Sequence, residues 1–172
     1  PRHWGFLRSS LEDLREQLAR LGQPLIVRNG DPVEIFKSFR DRFPIEIWCH
    51  EETGNWLSYQ RDRRVRRWAR DEGVLLHEYP ANGVIRRLEN RDHWAAMREE
   101  RIASDPLAAP VSLKPIARID PGPIPESLET AALDIFDAGM TGGESSARKT
   151  LDTFLSVRCQ NYAGGISSPL TA

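Results

Sequence analysis

The spacing of apolar side chains divides the beginning of the chain into amphipathic helices. Leucine and phenylalanine recur at steps of three and four residues from Phe6 to Leu21, and Gly22 is expected to end this helix. A second helix is predicted to begin at Asp31-Pro32, because aspartate is a good N-cap and proline suits the first helical position. Each of these helices has one apolar face to bury.

Short apolar runs lie beside these helices and predict strands. The runs are Leu25–Arg28, Ile45–Cys49 and Val74–Tyr79. A third helix begins at Trp56 and ends at Gly73, and its apolar side is formed by Leu57, Val65, Trp68 and Ala69. Strands that alternate with helices indicate βαβ crossovers and a parallel sheet. We therefore predict an α/β fold with a doubly wound, Rossmann-like parallel sheet. Because only three strands are evident and the chain opens with a helix, we expect the first strand or strands of this sheet to be missing.

The second half of the chain has a different character. Arg91–Ile102 predicts one more short helix, and half of the 12 prolines then fall between Pro106 and Pro125, which is typical of a semi-rigid linker. A short helix is predicted at Ser127–Phe136, and an amphipathic helix from Ser146 to about Tyr162. The expected organisation is an α/β domain at 1–104, an interdomain linker at 105–145 and the first helix of an all-α domain at 146–172.

Composition limits the function classes. The 24 basic and 25 acidic residues nearly cancel, so no global field attracts DNA or a membrane. Two cysteines offer neither a disulfide framework nor metal-ligand spacing, which predicts a reducing cytoplasm. No signal peptide and no apolar run of membrane-spanning length is visible. Since the chain starts at Pro1 without a methionine, we expect a fragment, and no protein partner is predicted.

Three titratable side chains follow the central strand. His50, Glu51 and Glu52 stand at its carboxyl end, where open α/β sheets usually bind ligands, and they form the candidate binding site. The alternative, which we favour, is a solvated loop in which Glu51 or Glu52 caps the next helix. A metal site is disfavoured because adjacent residues of an extended strand point to opposite faces. No nucleophilic triad can be assembled, so no catalytic residue is predicted.

The third helix is rich in arginine. Its basic residues are Arg61, Arg63, Arg64, Arg66, Arg67 and Arg70. Arginines that track phosphates are one interpretation, but Asp62, Asp71 and Glu72 interleave with them, which favours a solvated outer face. Asn29-Gly30-Asp31 is interpreted as a turn and a cap. The nearby tryptophans, Trp48, Trp56 and Trp68, are expected to be core or pocket-lining residues.

Three stretches together resemble the photolyase/cryptochrome family. The first is His3–Phe36, which includes the Gly-Asp-Pro turn. The second is His50–Tyr79, with a Glu-Thr-Gly loop and the Arg61-Asp62 pair at the start of the basic helix. The third is Gly142–Ala172, where Gly-Gly precedes an Ala-x-x-x-Leu-x-x-Phe helix. Each motif is weak alone, but the three occur in the family's order and are separated by the expected linker.

The resemblance implies a two-domain flavoprotein. In this family an α/β domain can hold an antenna chromophore, a folate or a deazaflavin, and a larger helical domain holds FAD. Photolyases use reduced FAD and blue light to repair pyrimidine dimers by electron transfer, and their partner is damaged DNA. Cryptochromes use the same cofactor for signalling and are the main alternative. A stand-alone nucleotide-binding α/β domain is a further alternative.

The resemblance also implies roles for individual residues. Tyr162 matches a tyrosine near the phosphates of FAD, although a tyrosine at such a helix end is commonly a partly buried anchor. His50, Glu51 and Glu52 would line the antenna pocket. The resemblance places Leu57 and Ser58 where folate-binding members have an Asn-Glu pair, which disfavours folate. The remaining flavin-binding positions would lie beyond Ala172, so the chain by itself is not expected to repair DNA.

Overall fold

The structure is a computed structural model that describes residues 2–81, 83–86, 88–103, 105, 107–127 and 141–162. Its elements in chain order are α1 Arg2–Arg20, α2 Pro32–Arg40, β1 Ile47–His50, α3 Trp56–Asp71, β2 Leu76–Tyr79, α4 Trp94–Ile102 and α5 Glu144–Ser156, followed by a 3-10 helix at Arg158–Asn161. The chain divides into two compact units. We call residues 29–108 the sheet unit, and residues 1–28 with 109–172 the helical unit.

The sheet unit contains a two-stranded parallel sheet. Ile47 of β1 lies opposite Leu76 of β2, and His50 lies opposite Tyr79. Parallel strands need a crossover, and α3 supplies it. Asp31 caps α2 as predicted, because its carboxylate accepts hydrogen bonds from the amides of Val33 and Glu34. The predicted α/β class with a parallel sheet is confirmed.

One small apolar core holds the sheet unit together. Its buried members are Ile47, Val65, Trp68 and Ala69. The indole of Trp68 stacks on Phe36 of α2, with ring centroids 6.1 Å apart. Since Val65, Trp68 and Ala69 share one face of α3, the helical period predicted this part of the core correctly.

Leu57 and Trp56, in contrast, are 80% and 65% exposed, so their predicted burial is wrong. Four-residue strands span only about 13 Å, whereas the 16 residues of α3 span about 24 Å. The sheet is therefore too short to cover the first turn of α3. Buried positions on α3 begin only at Val65.

Trp48 is also exposed, to 61%, although the sequence placed it in a core or pocket. Side chains alternate along a strand, and Ile47 occupies the face of β1 that packs on the core. Trp48 consequently lies on the other face. There it stacks on His77 at 4.1 Å and on Tyr79 at 5.8 Å.

The helical unit lacks the strand predicted at Leu25–Arg28. The amide of Val27 donates to the carbonyl of Pro121 at 2.7 Å, but a proline has no N–H with which to return a bond. Arg15 Nε donates to the Leu25 carbonyl at 3.2 Å. A side chain and a proline-rich segment thus take the bonds of this run, and no ladder forms.

Hydrogen bonds join α1 to the beginning of α5. Ser9 Oγ accepts from the amide of Gly142 at 2.8 Å, and the Asp13 carboxylate accepts from the hydroxyl of Ser145 at 2.8 Å and from its amide at 3.3 Å. We call this set of contacts the Asp13 tie. Helix α5 ends at Ser156, whereas the sequence predicted an end near Tyr162. The backbone at Val157 (φ −130°, ψ −57°) leaves the helical region.

Two of the sequence predictions remain untested. The predicted helix at Ser127–Phe136 lies almost entirely outside the described residues. The predicted domain boundaries stay a prediction.

Among the helices that the structure describes, none is both long and apolar enough to cross a membrane.

Candidate functional site

The candidate site lies at the carboxyl end of the two parallel strands. His50 is the last residue of β1, and Glu51 and Glu52 follow it directly. The amide of Glu51 donates to the carbonyl of Tyr79 at 2.7 Å, which carries the pairing one residue past the strand. This bond fixes the position from which the Glu51 and Glu52 side chains extend.

Arg86, in the segment after β2, is the centre of the polar contacts here. Its Nη2 atom donates to the Glu52 carbonyl at 2.9 Å and to the Glu78 carboxylate at 3.4 Å, and its Nη1 atom lies 3.9 Å from the Glu51 carboxylate. Its guanidinium carbon lies 5.5 Å from the ring centre of Tyr59. Arg86 therefore joins both strand ends to the first turns of α3.

A second arginine completes this cluster from α3. Arg66 donates to the Glu78 carboxylate at 3.0 Å, so two guanidinium groups share one acid. The carboxylates of Glu78 and Glu51 are only 18% and 22% exposed, which strengthens their attraction to the arginines relative to a surface pair. We call Glu51, Tyr59, Arg66, Glu78 and Arg86 the strand-end cluster.

The strand-end cluster retains hydrogen-bonding capacity. Glu51 Oε2, Arg66 Nε and Arg86 Nε are buried and have no hydrogen-bond partner among the described residues. Buried polar atoms of this kind are uncommon and cost stability unless something binds them. A polar ligand or ordered water at this edge would satisfy them.

The structure separates the three side chains predicted from the sequence. Glu51 lies beside Arg86, whereas the Glu52 carboxylate accepts from the Gly54 amide at 2.5 Å and pairs with Arg61 at 3.3 Å. His50 is exposed, on the same side of the strand as Trp48. Their role in an antenna pocket stays a prediction.

The cap of α3 differs from the expectation. Asn55, and neither Glu51 nor Glu52, is the N-cap, because its side-chain oxygen accepts from the Ser58 amide at 3.0 Å. Glu52 instead closes a local turn through the Gly54 amide. Within the described part of the chain, no three His, Cys, Asp or Glu side chains gather in a way that would hold a metal ion.

Cys49 lies on the covered face of β1, close to this cluster. Burial raises the pKa of its thiol, and the carboxylates of Glu78 and Asp62 raise it further. The thiolate is the nucleophilic form of cysteine, so a raised pKa makes Cys49 a poor nucleophile at neutral pH. The groups that the site offers are therefore charges and hydrogen-bonding atoms suited to binding a polar ligand.

The arginines of α3 are mostly paired. Arg61 lies 2.7 Å from Asp62 and this hydrogen bond raises its pKa, Arg64 pairs with Asp31, and Arg70 lies 2.9 Å from Asp71. These contacts agree with the interpretation of the helix as a charged outer face. Arg63 and Arg67 have no carboxylate partner in the described ranges.

Tyr162 follows the 3-10 helix in the helical unit. Its ring meets Phe154 edge-on, at 5.5 Å between centroids and 89° between planes, and it is 46% exposed. An edge-on aromatic contact fixes the ring and leaves part of it open to another molecule. A role for Tyr162 in holding FAD stays a prediction.

Sequence reasoning missed most of the strand-end cluster. Tyr59, Glu78 and Arg86 come from three different segments, and only the fold brings them to one edge. One signal was present, since Glu78 is a carboxylate inside the apolar run Val74–Tyr79. A charge in such a run is seldom buried without a partner, so a nearby cation was to be expected.

Comparisons with known proteins agree with this fold. A sequence model of the DNA photolyase family matches residues 1–92. A relative, the Cryptochrome DASH of Gloeobacter violaceus, is 28% identical over 165 residues, and the match covers 87% of this chain and 33% of the relative. The chain thus spans about a third of the length of this curated relative.

Two solved structures share the fold. A bacterial class III photolyase from Agrobacterium tumefaciens gives a TM-score of 0.65 at 19% identity, covering 94% of this chain and 37% of that one. A cryptochrome from Synechocystis gives a TM-score of 0.66 at 20% identity, covering 95% of this chain and 38% of that one. At this identity the likeness concerns the fold. The family match extends over more than half of the residues, and the chain belongs to the DNA photolyase family.

Proposed function

We propose that this chain is part of a blue-light-dependent flavoprotein that repairs pyrimidine dimers in DNA by electron transfer from reduced FAD. The observation that carries the proposal is the family match over residues 1–92, which includes α1, the sheet and the strand-end cluster. Because the chain covers only about a third of a curated relative, the repair activity is proposed for the complete protein. The chain alone is proposed to be inactive.

FAD, when bound, supplies the light-driven electron chemistry, and the protein holds and orients it. Among the described residues Tyr162 is the one proposed to contact it. Its ring is fixed by Phe154 and is nearly half exposed, which suits a contact with a large cofactor. Since a single fixed aromatic ring is not a flavin site, the chain is proposed to bind FAD weakly.

The strand-end cluster is proposed as the antenna-chromophore side of the protein. Glu51 Oε2 and Arg86 Nε are buried and have no hydrogen-bond partner in the described part of the chain, so they suit the polar groups of a bound ring system such as a deazaflavin. The backbone carbonyl of Glu52 accepts a hydrogen bond from Arg86 and so helps to hold this arginine in place. His50 lies on the face of β1 that carries Trp48. Leu57 is exposed and Ser58 is held by the Asn55 cap, so neither is proposed to hold a folate.

Replacing Arg86 with glutamine tests the antenna proposal. The variant of the complete protein should lose chromophore absorbance while its flavin absorbance stays unchanged, because Arg86 belongs to the sheet unit and Tyr162, the residue proposed to contact FAD, belongs to the helical unit. Arg98→Gln on α4 is the matched control, since Arg98 is an exposed arginine paired with its neighbour Glu99. Equal chromophore content in both variants would contradict the antenna role of the cluster.

A cryptochrome with a signalling function is the second candidate. The curated relative, the Cryptochrome DASH of Gloeobacter violaceus, favours it. The two candidates share FAD and blue light and differ in whether damaged DNA is a substrate. Both are proposed for the cytoplasm, which agrees with the free thiols of Cys49 and Cys159.

A repair assay with the complete protein distinguishes these functions. Ultraviolet-irradiated oligonucleotides are incubated with the reduced protein in blue light and in the dark, and the remaining pyrimidine dimers are counted. Loss of dimers only in the light is the result that the photolyase proposal predicts. Flavin photoreduction with no loss of dimers would reject repair and favour the cryptochrome.

A further inference from the structure

A groove between α3 and β2 is lined by arginine side chains. It has a volume of about 570 Å3 and lies within the sheet unit. Its lining residues are Arg63, Arg66, Arg67, Ala69, Arg70, Val74, Leu76 and Glu78. The four arginines stand three and four positions apart on α3 and therefore share one face of the helix. The opposite wall is mostly apolar.

The charges in this groove do not balance. Four guanidinium groups face one carboxylate, that of Glu78, which Arg66 and Arg86 already share. The pair of Arg70 with its neighbour Asp71 is exposed on both sides and contributes little. Among the described residues neither Arg63 nor Arg67 has an acidic partner, and the guanidinium carbon of Arg63 lies 5.9 Å from the ring centre of Tyr59.

We propose that this groove binds a phosphorylated small molecule of nucleotide size. Arginine recognises phosphate with paired hydrogen bonds, and Arg63 and Arg67 are available for such bonds. The apolar side chains of Val74 and Leu76 suit the base or another apolar part of the ligand. The volume lies within the range of small-molecule sites.

The shape of the groove favours a small ligand over a nucleic acid. A nucleic-acid backbone is followed by cations distributed along a long surface, and its binding grows with the number of phosphates that are neutralised. Here the cations available for a ligand are confined to two turns of one helix. Arg61 and Arg64, on other faces of α3, are already paired with Asp62 and Asp31.

Titration calorimetry of the full chain at low ionic strength tests this site with ADP, pyrophosphate and adenosine as probes. ADP is expected to bind, pyrophosphate to bind more weakly and adenosine to bind least, because the phosphates carry the recognition. Absence of ADP binding at millimolar concentrations would overturn the proposal. A single-stranded oligonucleotide that binds more tightly than ADP, and depends on the same arginines, would overturn the choice of ligand class.

Two matched double variants locate the binding. Arg63→Gln with Arg67→Gln removes two groove cations and should weaken ADP binding by about tenfold or more. Arg20→Gln with Arg148→Gln removes the same charge from exposed pairs on α1 and α5 and should change it by less than about twofold. Equal losses in both variants would mean that the attraction is diffuse, and the site would be rejected.

A third variant guards against loss of binding through unfolding. Glu78→Gln removes the one carboxylate among the described lining residues and releases Arg66, so ADP should bind severalfold more tightly. Damage to the fold cannot produce a gain of this kind. Weaker binding in Glu78→Gln, with an unchanged circular dichroism spectrum, would contradict the charge argument.

Discussion

The sheet unit and the helical unit are held together by different interactions. All four buried apolar side chains among the described residues, Ile47, Val65, Trp68 and Ala69, belong to the sheet unit. Several large apolar side chains of the helical unit are about half exposed, with Phe6 at 49%, Leu14 at 43% and Leu151 at 54%. Its long-range contacts include hydrogen bonds such as the Asp13 tie and the bond from Val27 to Pro121.

This difference determines what each unit reveals in its sequence. A core built from one helix face and a strand repeats with the period of those elements, so it can be read from the sequence. A hydrogen bond between Ser145 and Asp13 joins residues 132 positions apart and leaves no periodic pattern. The helical unit should also respond to changes that a core tolerates, such as protonation of one carboxylate.

The largest expected effect is on the core of the sheet unit. Trp68→Ala removes a buried indole that stacks on Phe36, and we expect a loss of roughly 3–5 kcal/mol in the free energy of unfolding. Trp56→Ala is the control, because that indole is 65% exposed and should cost less than about 1 kcal/mol. Urea unfolding monitored by circular dichroism measures both, and equal losses would contradict the assignment of the core.

The next effect concerns close packing in the helical unit. Gly142 is buried, and a side chain there would collide with the Phe6 carbonyl and the Ser10 hydroxyl. We expect Gly142→Ala to lower the free energy of unfolding by about 1–3 kcal/mol.

Gly5→Ala, in the same unit, is expected to raise the free energy of unfolding. Gly5 lies inside α1 with open space around it, so alanine should stabilise the helix by roughly 0.5–1 kcal/mol. Thermal unfolding of Gly142→Ala and Gly5→Ala measures both changes in stability. A neutral Gly142→Ala would show that α1 and the α5 segment do not approach as closely as described.

A smaller effect is expected at the beginning of α3. Asn55→Ala removes the acceptor for the Ser58 amide and should cost about 1 kcal/mol. Asn55→Ser keeps a capping oxygen and should restore most of that loss. Urea unfolding compares the two, and an equal loss in both would show that the cap contributes little.

The smallest effect depends on pH. The hydrogen bond from the Ser145 hydroxyl holds the pKa of Asp13 below its ordinary value. The Asp13 tie therefore stabilises the helical unit fully above the ordinary carboxyl pKa of about 3.9, and this contribution is lost as the pH falls through the lowered folded-state value. Amide hydrogen exchange at Gly142 and Ser145 should accelerate in this acidic range, relative to the trend at Ala69.

Asp13→Asn is the control for this pH dependence. Asparagine does not titrate, so the acid-dependent acceleration at Gly142 and Ser145 should disappear. Persistence of the acceleration in the variant would assign it to another group.

The parts of the fold that were predicted correctly depend on local signals. Asp31-Pro32 begins a helix wherever it stands, because the cap and the fixed backbone angle of proline act within one turn. Trp48 and Leu57 were placed wrongly because their exposure depends on which faces of the sheet and helix are covered. The Leu25–Arg28 run has strand-like composition, yet a strand also needs a partner that can return its hydrogen bonds.

Only part of the candidate site could be predicted from the sequence. The position of Glu51 and Glu52 at a strand end followed from the order of the elements. Arg86 could not be identified, because it meets Glu52 across 34 residues of chain and belongs to no recognised motif. The sequence therefore indicates where a ligand edge lies, and the fold decides which charges assemble there.

The most direct test of the proposed function is the visible absorption spectrum of the complete gene product, before and after illumination with a reductant. Membership in the DNA photolyase family predicts flavin bands that bleach in blue light. A colourless, folded protein would contradict the flavoprotein proposal and would leave only the fold in common with photolyases and cryptochromes.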